Sequence, residues 1–233
     1  LSSTAFGSGS NATAHSYTAV GQGTQATGAY TVAVGQKARA NGISSAAIGS
    51  ASVAEGDYSI ATGASSQATG KASVASGLQA QAKGGSSVAI GRGAIASDEY
   101  SVALGANSTT SAAVGTNSAT VNGVTYSGFA GTNPTSTVSV GSAGNERTIT
   151  NVAAGRITPT STDAINGSQL YQVAAQTNGN TIVINNLQDR INDMNKDLRA
   201  GIAGATAIGF LQRPNEAGKS IVSAAVGGYR GQQ

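Results

Sequence analysis

The sequence predicts a β-solenoid followed by an α-helical coiled coil, and three observations carry that reading. Glycine recurs every 14 residues from Gly7 to Gly105. Apolar residues change to alternating spacings of three and four from Leu170 onward. The 233-residue chain holds 33 Gly but only 7 Tyr, 3 Phe and no Trp. A two-layer globular core needs large side chains to fill it, so this composition requires a thin, regular structure packed with small ones. With 39% apolar and only 10% charged residues the chain is too apolar and too weakly charged for charge-driven disorder.

Residues 1–118 carry the repeat. Gly7, Gly21, Gly35, Gly49, Gly63, Gly77, Gly91 and Gly105 are each preceded two positions earlier by Ala, from Ala5 and Ala19 to Ala103. Ala returns five residues after the first seven of them, from Ala12 to Ala96, and a second glycine often follows, as at Gly28, Gly42, Gly56, Gly70 and Gly84. In Ser87-Val88-Ala89-Ile90-Gly91 both alternating sets are apolar or small, which predicts a strand buried on both faces. Thr24-Gln25-Ala26-Thr27-Gly28 alternates Ala with polar residues and predicts one wet face. Helices do not tolerate glycine at this density, so two short strands per turn joined at glycine corners make a narrow solenoid. Its interior has room for Ala-sized groups. The larger flanking residues Val32/Val34, Val88/Ile90 and Val102/Leu104 then need a further surface, which self-association around an axis supplies most simply.

The period breaks at Ala113-Val114-Gly115, and residues 119–141 read as an irregular or short β insert containing Tyr126, Phe129 and Pro134. In 142–170 a glycine-punctuated segment leads to Ser161-Thr162-Asp163, which offers helix N-cap chemistry before Ala164. Leu170, Val173, Thr177, Asn180, Ile184, Leu187, Ile191, Met194, Leu198 and Gly201 then form a heptad seam, assigned to a coiled coil over 171–200. Gly179 and Ile182-Val183-Ile184 weaken the helix locally, and the seam residues alone leave the number of strands open. In 201–233, Gly201 to Ala207 are small enough for close helix packing, as in a helix that fills a pore. Lys219 to Gly231 fits one strand of a membrane β-barrel ending in an interfacial Tyr229-Arg230, with the barrel itself incomplete.

Charge and cysteine content narrow the function. Thirteen Lys and Arg against ten Asp and Glu give +3, scattered along the chain, which argues against a nucleic-acid partner. The absence of Cys removes disulfides and thiolate chemistry and suits passage through an oxidising compartment. No basic segment precedes an apolar run at the start and no run of 18 apolar residues occurs, so the chain reads as a processed or excised piece.

Several motifs invite sharper readings. Gly91-Arg92-Gly93 mimics a dinucleotide fingerprint, but it recurs in every turn and precedes no helix. Gly218-Lys219-Ser220 echoes a phosphate-binding loop, yet Arg213 stands where the first glycine is required. His15 shares a repeat position with Asp57, Lys71 and Glu99 and reads as a solvated corner, which leaves no nucleophile, base and orienting group to assemble into an enzyme. Tyr30, Tyr58 and Tyr100 share one repeat position and read either as packing beside a corner or as an aromatic row that contacts a protein ligand. Asn180 is a polar seam residue of the kind that fixes register and strand number.

The residues together resemble the YadA-like trimeric autotransporter adhesins. The Ser-Val-Ala-Ile-Gly units look like the family's left-handed parallel β-roll head. Asn151-Val152-Ala153-Ala154-Gly155 and Ser161 through Leu170 look like its neck. Tyr126-Ser127-Gly128-Phe129-Ala130-Gly131 resembles an insert between head and neck, and Ala200 through Gly231 the start of an outer-membrane anchor. The resemblance implies a homotrimer on the bacterial cell surface, anchored in the outer membrane, that attaches to extracellular-matrix or host-cell proteins or to sibling cells. A structural spacer or self-association module of a longer fibre is the alternative. The resemblance also implies that Asn180 side chains converge on a buried anion such as chloride, with no other cofactor.

Overall fold

The structure, a computed structural model, describes residues 3–13, 16–209, 211, 216–220 and 222–228. It divides into two compact units, one of Leu1–Asn151 with Ile157–Thr162 and the other of Val152–Arg156 with Asp163–Gln233. His15 and the Tyr229-Arg230 pair lie outside the described residues.

The first unit is the solenoid. Three-residue strands from Thr4–Phe6 through Val88–Ile90 to Val102–Leu104, closed by Val138–Ser139, form a nine-stranded sheet. Two-residue strands from Asn11–Ala12 to Ile95–Ala96 form a seven-stranded sheet. All neighbours in both sheets are parallel, and through the regular turns like stacks on like: Ala75 lies opposite Ala61 and Ala89, and Ala68 opposite Ala54 and Ala82. Each repeat therefore adds one strand to each sheet.

Between the sheets runs a column of fully buried Ala, among them Ala33, Ala40, Ala47, Ala54, Ala89 and Ala96. Beside it Thr31, Ser45, Ser59, Ser73, Ser87 and Ser101 form a buried hydroxyl row. Most of these hydroxyls donate to a main-chain carbonyl, as Thr31 does to Gly28 O at 2.9 Å and Ser101 to Asp98 O at 2.6 Å, which offsets the cost of burying them. The Ser59 and Ser73 hydroxyls have no partner. Among the described residues the interior also admits one large group: Tyr17 is buried and satisfies its hydroxyl on Thr27 O at 3.2 Å.

The long strands are buried on one face within a single chain. Ser87 and Ala89 face the column, whereas Val88 is half-buried and Ile90 exposed, because no element among the described residues covers the outward face. The short strands alternate as their sequence predicts, with Thr24 and Ala26 inside and Gln25 and Thr27 in solvent.

Backbone contact between turns fixes the corners. Gly63 has φ +125°, and a Cβ there would stand 2.6 Å from Gly77 O. Two residues later in each turn comes a left-handed corner, filled by Lys37, Ala51, Ser65 and Gln79 with φ from 56 to 58°. At the Gly28, Gly42, Gly56, Gly70 and Gly84 corner a Cβ would run into the carbonyl of the next turn. Asp98 takes that position in the last regular turn, with its carboxylate 3.3 Å from the Thr110 hydroxyl.

After Thr110 the chain leaves the roll and makes an antiparallel hairpin, Ser118–Val121 with Val124–Ser127. Asn122 and Gly123 turn it with φ of 49° and 80°, as a two-residue type I′ loop requires. Val138–Ser139 then rejoins the long sheet, Val138 opposite Val102.

The second unit is built on one helix, α1, Gly167–Gly209. It runs unbroken through Gly179 and Ile182-Val183-Ile184 and beyond the expected end at residue 200. The expected N-cap at Ser161-Thr162-Asp163 gives way to Asn166. Its Oδ1 accepts from the amides of Ser168 at 3.2 Å and Gln169 at 3.3 Å, while Gln169 Oε1 accepts from Asn166 N at 3.3 Å. This reciprocal pair is a capping box, and Asp163 faces Arg156 instead. The strand expected over Lys219 to Gly231 is not formed among its described residues; there Gly227 is buried, packed where a Cβ would run into Ala203 O. No helix among the described residues is long and apolar enough to cross a membrane.

A thermal-unfolding series tests the corner and hydroxyl assignments together. Gly63→Ala, which forces a Cβ into the next turn at positive φ, is expected to cost about 3 kcal/mol or more. Ala51→Gly, which relieves a left-handed corner, is expected to gain about 0.5–1 kcal/mol. Ser59→Ala, which removes an unpartnered buried hydroxyl, is expected to be neutral or stabilising, whereas Thr31→Val loses a made bond and about 1 kcal/mol.

Candidate functional site

Three surfaces of the chain are built in a way that packing within it does not account for. The first is a corner edge of the roll. Tyr30, Tyr58 and Tyr100 have φ of 61°, 59° and 57°, in the same column as Ser16, Ser44, Ala72 and Ser86. The amides of Tyr58 and Tyr100 are pinned to the preceding turn, Tyr58 N to Ile43 O at 2.7 Å and Tyr100 N to Gly85 O at 2.9 Å. Their side chains are left 65%, 58% and 62% exposed. A bulky residue in the left-handed region is costly, and these rings recover little of that cost by burial. At about 4.8 Å per turn, Tyr30 and Tyr58 stand about 10 Å apart and Tyr58 and Tyr100 about 14 Å apart along one edge.

The second surface is the outward face of the long sheet. Val34, Val74, Val88 and Val102 are half-buried, and Ile48, Ile60, Ile90 and Leu104 are exposed. The column from Val32 through Ile60, Val74 and Val88 to Val102 is apolar in every turn, whereas the neighbouring column of Val34, Ile48, Ile90 and Leu104 is interrupted by Thr62 and Ser76. By contrast the outward face of the short sheet is polar, with Thr27 donating to Asn41 Oδ1 at 2.9 Å and Arg39 lying 3.9 Å from Glu55.

The third surface is the seam of α1. Leu170, Val173, Ile184, Leu187, Ile191, Met194 and Leu198 are all exposed, from 42% at Ile191 to 67% at Met194. Within this seam Thr177 turns its hydroxyl back onto Val173 O at 2.9 Å. Asn180 Oδ1 accepts from Gln176 Nε2 at 3.0 Å, one helical turn earlier. In this arrangement the Asn180 NH2 group is directed away from Gln176.

Sequence reading missed the clasp at the start of α1. Arg156 donates from Nε to Asp163 Oδ2 at 2.7 Å and from Nη2 to Oδ1 at 3.0 Å, and its amide also reaches Oδ2 at 3.1 Å. Gln169 Nε2 donates to Gly155 O at 2.7 Å and its Oε1 accepts from Gly155 N at 2.9 Å; Asn166 Nδ2 donates to Val152 O at 3.1 Å. Thus the capping-box residues also bind the loop that precedes the helix. The Arg156 guanidinium, followed by the Arg156 amide, holds the Asp163 carboxyl below the usual carboxylate range, and Asp163 raises Arg156 in return. The spacing Asn166-Gly167-Ser168-Gln169 was the available signal.

A small-residue solenoid ending in a single long helix with an open seam defines a class: a β-roll head carried by a coiled stalk. Two family models match in that order. The YadA head domain repeat matches residues 18–38, 40–66, 68–94 and 82–108, and the coiled stalk of trimeric autotransporter adhesin matches 148–193, between them more than half of the chain. The chain belongs to the YadA-like trimeric autotransporter adhesins.

Among its relatives, the autotransporter adhesin BtaE of Brucella suis biovar 1 (strain 1330) is 62% identical over 68 residues, which is 29% of this chain and 9% of that protein's length. Two solved structures are also similar. The C-terminal YadA-like domain of a Burkholderia pseudomallei protein is 54% identical, over 51% of this chain and 53% of that one, with a TM-score of 0.44. The collagen-binding domain of the Yersinia adhesin YadA is 28% identical, over 68% of this chain and 83% of that one, with a TM-score of 0.47.

The clasp predicts an acid dependence. Because the Asp163 pKa is depressed in the folded state, its contribution to stability is fully present above the ordinary aspartate value of about 3.9 and is lost as pH falls through the lower folded value. Helix melting followed by circular dichroism is therefore expected to weaken toward acid in the wild type. Asp163→Asn is expected to melt lower at neutral pH and to show a flatter acid limb.

Proposed function

We propose that this chain is the head, neck and stalk of a bacterial surface adhesin, a homotrimer of left-handed rolls whose remaining anchor sits in the outer membrane. It attaches the cell to extracellular-matrix or host-cell proteins and holds sibling cells together, and so contributes to biofilm and virulence. Membership of the adhesin family, with its head repeats present, carries the reading. Trimer formation is supported by the apolar stripe of the long sheet and the open seam of α1, which a solitary chain leaves in water. Neither catalysis nor nucleic acid enters this reading.

Tyr30, Tyr58 and Tyr100 are the proposed ligand contacts, since exposed aromatics on a rigid edge give large contact area at little entropic cost. The reading as a spacer or self-association module draws on the polar outer face of the short sheet, where Thr27 donates to Asn41 Oδ1 and Arg39 faces Glu55. Binding to a panel of matrix proteins, collagens included, beside a clumping assay of cells displaying the chain separates the two. The triple variant Tyr30→Gly, Tyr58→Gly, Tyr100→Gly relieves three left-handed corners, so its melting temperature should hold or rise while matrix binding falls about tenfold or more. Undiminished matrix binding in that variant removes the tyrosine row. Clumping without matrix binding by the wild type favours the spacer.

At the stalk axis three Asn180 side chains are proposed to surround a chloride. Their Oδ1 atoms are engaged by Gln176, so the NH2 donors need an acceptor. Sedimentation equilibrium should give a trimer at micromolar concentration, and adding chloride at fixed ionic strength should stabilise it. Asn180→Ile should melt higher, lose the chloride response and relax in register.

A further inference from the structure

We propose that the Arg147 guanidinium stands in for a peptide group of the turn that the chain omits, and so closes the C-terminal edge of the roll. Throughout the regular turns, the carbonyl of the residue after each 14-spaced glycine accepts an amide from the following turn. Gln22 O accepts from Lys37 N at 2.9 Å, Gln36 O from Ala51 N at 2.8 Å, Leu78 O from Gly93 N at 2.8 Å and Arg92 O from Asn107 N at 2.8 Å. Ala106 is the next residue in this column, and the chain has left for the hairpin before another turn can be laid on it. The donor that reaches Ala106 O is Arg147 Nη2, from 41 residues downstream.

A second measure of the same corner agrees. At Gly77 the Cβ direction meets the carbonyl carbon of Gly91 at 2.6 Å, and at Gly91 that of Gly105 at 2.5 Å. At Gly105 the same direction meets Arg147 Cζ at 3.2 Å and Nη1 at 3.3 Å. A planar sp² group with N–H donors thus covers Gly105, as a planar peptide covers each glycine before it. Nη1 completes the plug, donating to Val140 O, one residue past the last long strand, and to the Ser108 hydroxyl at 3.0 Å. The guanidinium therefore extends the pairing of Val102–Leu104 with Val138–Ser139 past the point where their own ladder stops, joining Ala106 O to Val140 O. Terminal units of repeat proteins need such closure, because an open edge frays and invites pairing with another chain.

Backbone amide hydrogen exchange on the full chain tests this, comparing wild type with Arg147→Ala and Arg147→Lys. The amides of Gly105, Asn107 and Ser108 are expected to exchange about tenfold faster or more in both variants, while Ser66 and Gln67 in the middle of the roll keep their protection. Lysine should behave like alanine, because one ammonium cannot supply the fixed fork that bridges both carbonyls. Unchanged exchange at 105–108 in Arg147→Ala would overturn the proposal. Wild-type protection in Arg147→Lys would also overturn it, since charge rather than the planar fork would then suffice. Equal acceleration in every turn would overturn it too, by making Arg147 a contributor to global stability rather than a seal on one edge.

Discussion

The contact of backbone on backbone at the glycine corners governs everything else in the roll. Turns lie about 4.8 Å apart, and where the chain bends inward no atom beyond Cα fits between one corner and the next. Gly63 under Gly77 is one instance, and Gly42 under Gly56 another. Once corners are that tight, the two sheets are held so close that the space between them admits Ala and Ser but few larger groups. A core of such groups buries little apolar surface per residue, so much of the stability rests on the uninterrupted ladders of hydrogen bonds between turns. The large apolar residues, which have no place inside, point outward in register and make the surfaces through which the chain meets others.

The same constraint explains what was legible in the sequence. Sterically forced glycines cannot drift, so the period stood out, and with it the strand positions and the inward Ala column. The alternation in Thr24-Gln25-Ala26-Thr27 translated directly into buried and wet faces. Less legible were features set by single contacts. Asp98 in place of a corner glycine marked the last regular turn at its corner, and Asn122-Gly123 marked the hairpin, but each is a single deviation in a long pattern. Tyr17 entered a column of Ser and Thr because its hydroxyl found Thr27 O, a contact that a periodicity argument cannot supply.

The second unit shows where local propensity misleads. Ser161-Thr162-Asp163 has good N-cap chemistry, yet Asp163 gains more from a two-pronged pairing with Arg156, and the helix starts at Gly167 under the Asn166 cap. Gly179 and the β-branched run after it did not interrupt α1, since a long helix with strong formers on both sides absorbs one poor segment. The tyrosine corners were visible as a repeated position, whereas their left-handed backbone and their exposure required coordinates.

The direction of the hydrogen-bond ladders has a mechanical consequence. They run along the roll axis, so a tensile load applied between the ends of the roll acts along the bonds and meets them one turn after another, not all at once. Each coil that yields releases 14 residues, about 45 Å of extended chain, while the coils behind it remain closed. A roll of this kind responds to a sustained pull as a series of small extensible links, and dissipates work before the load reaches whatever contact its surface has made.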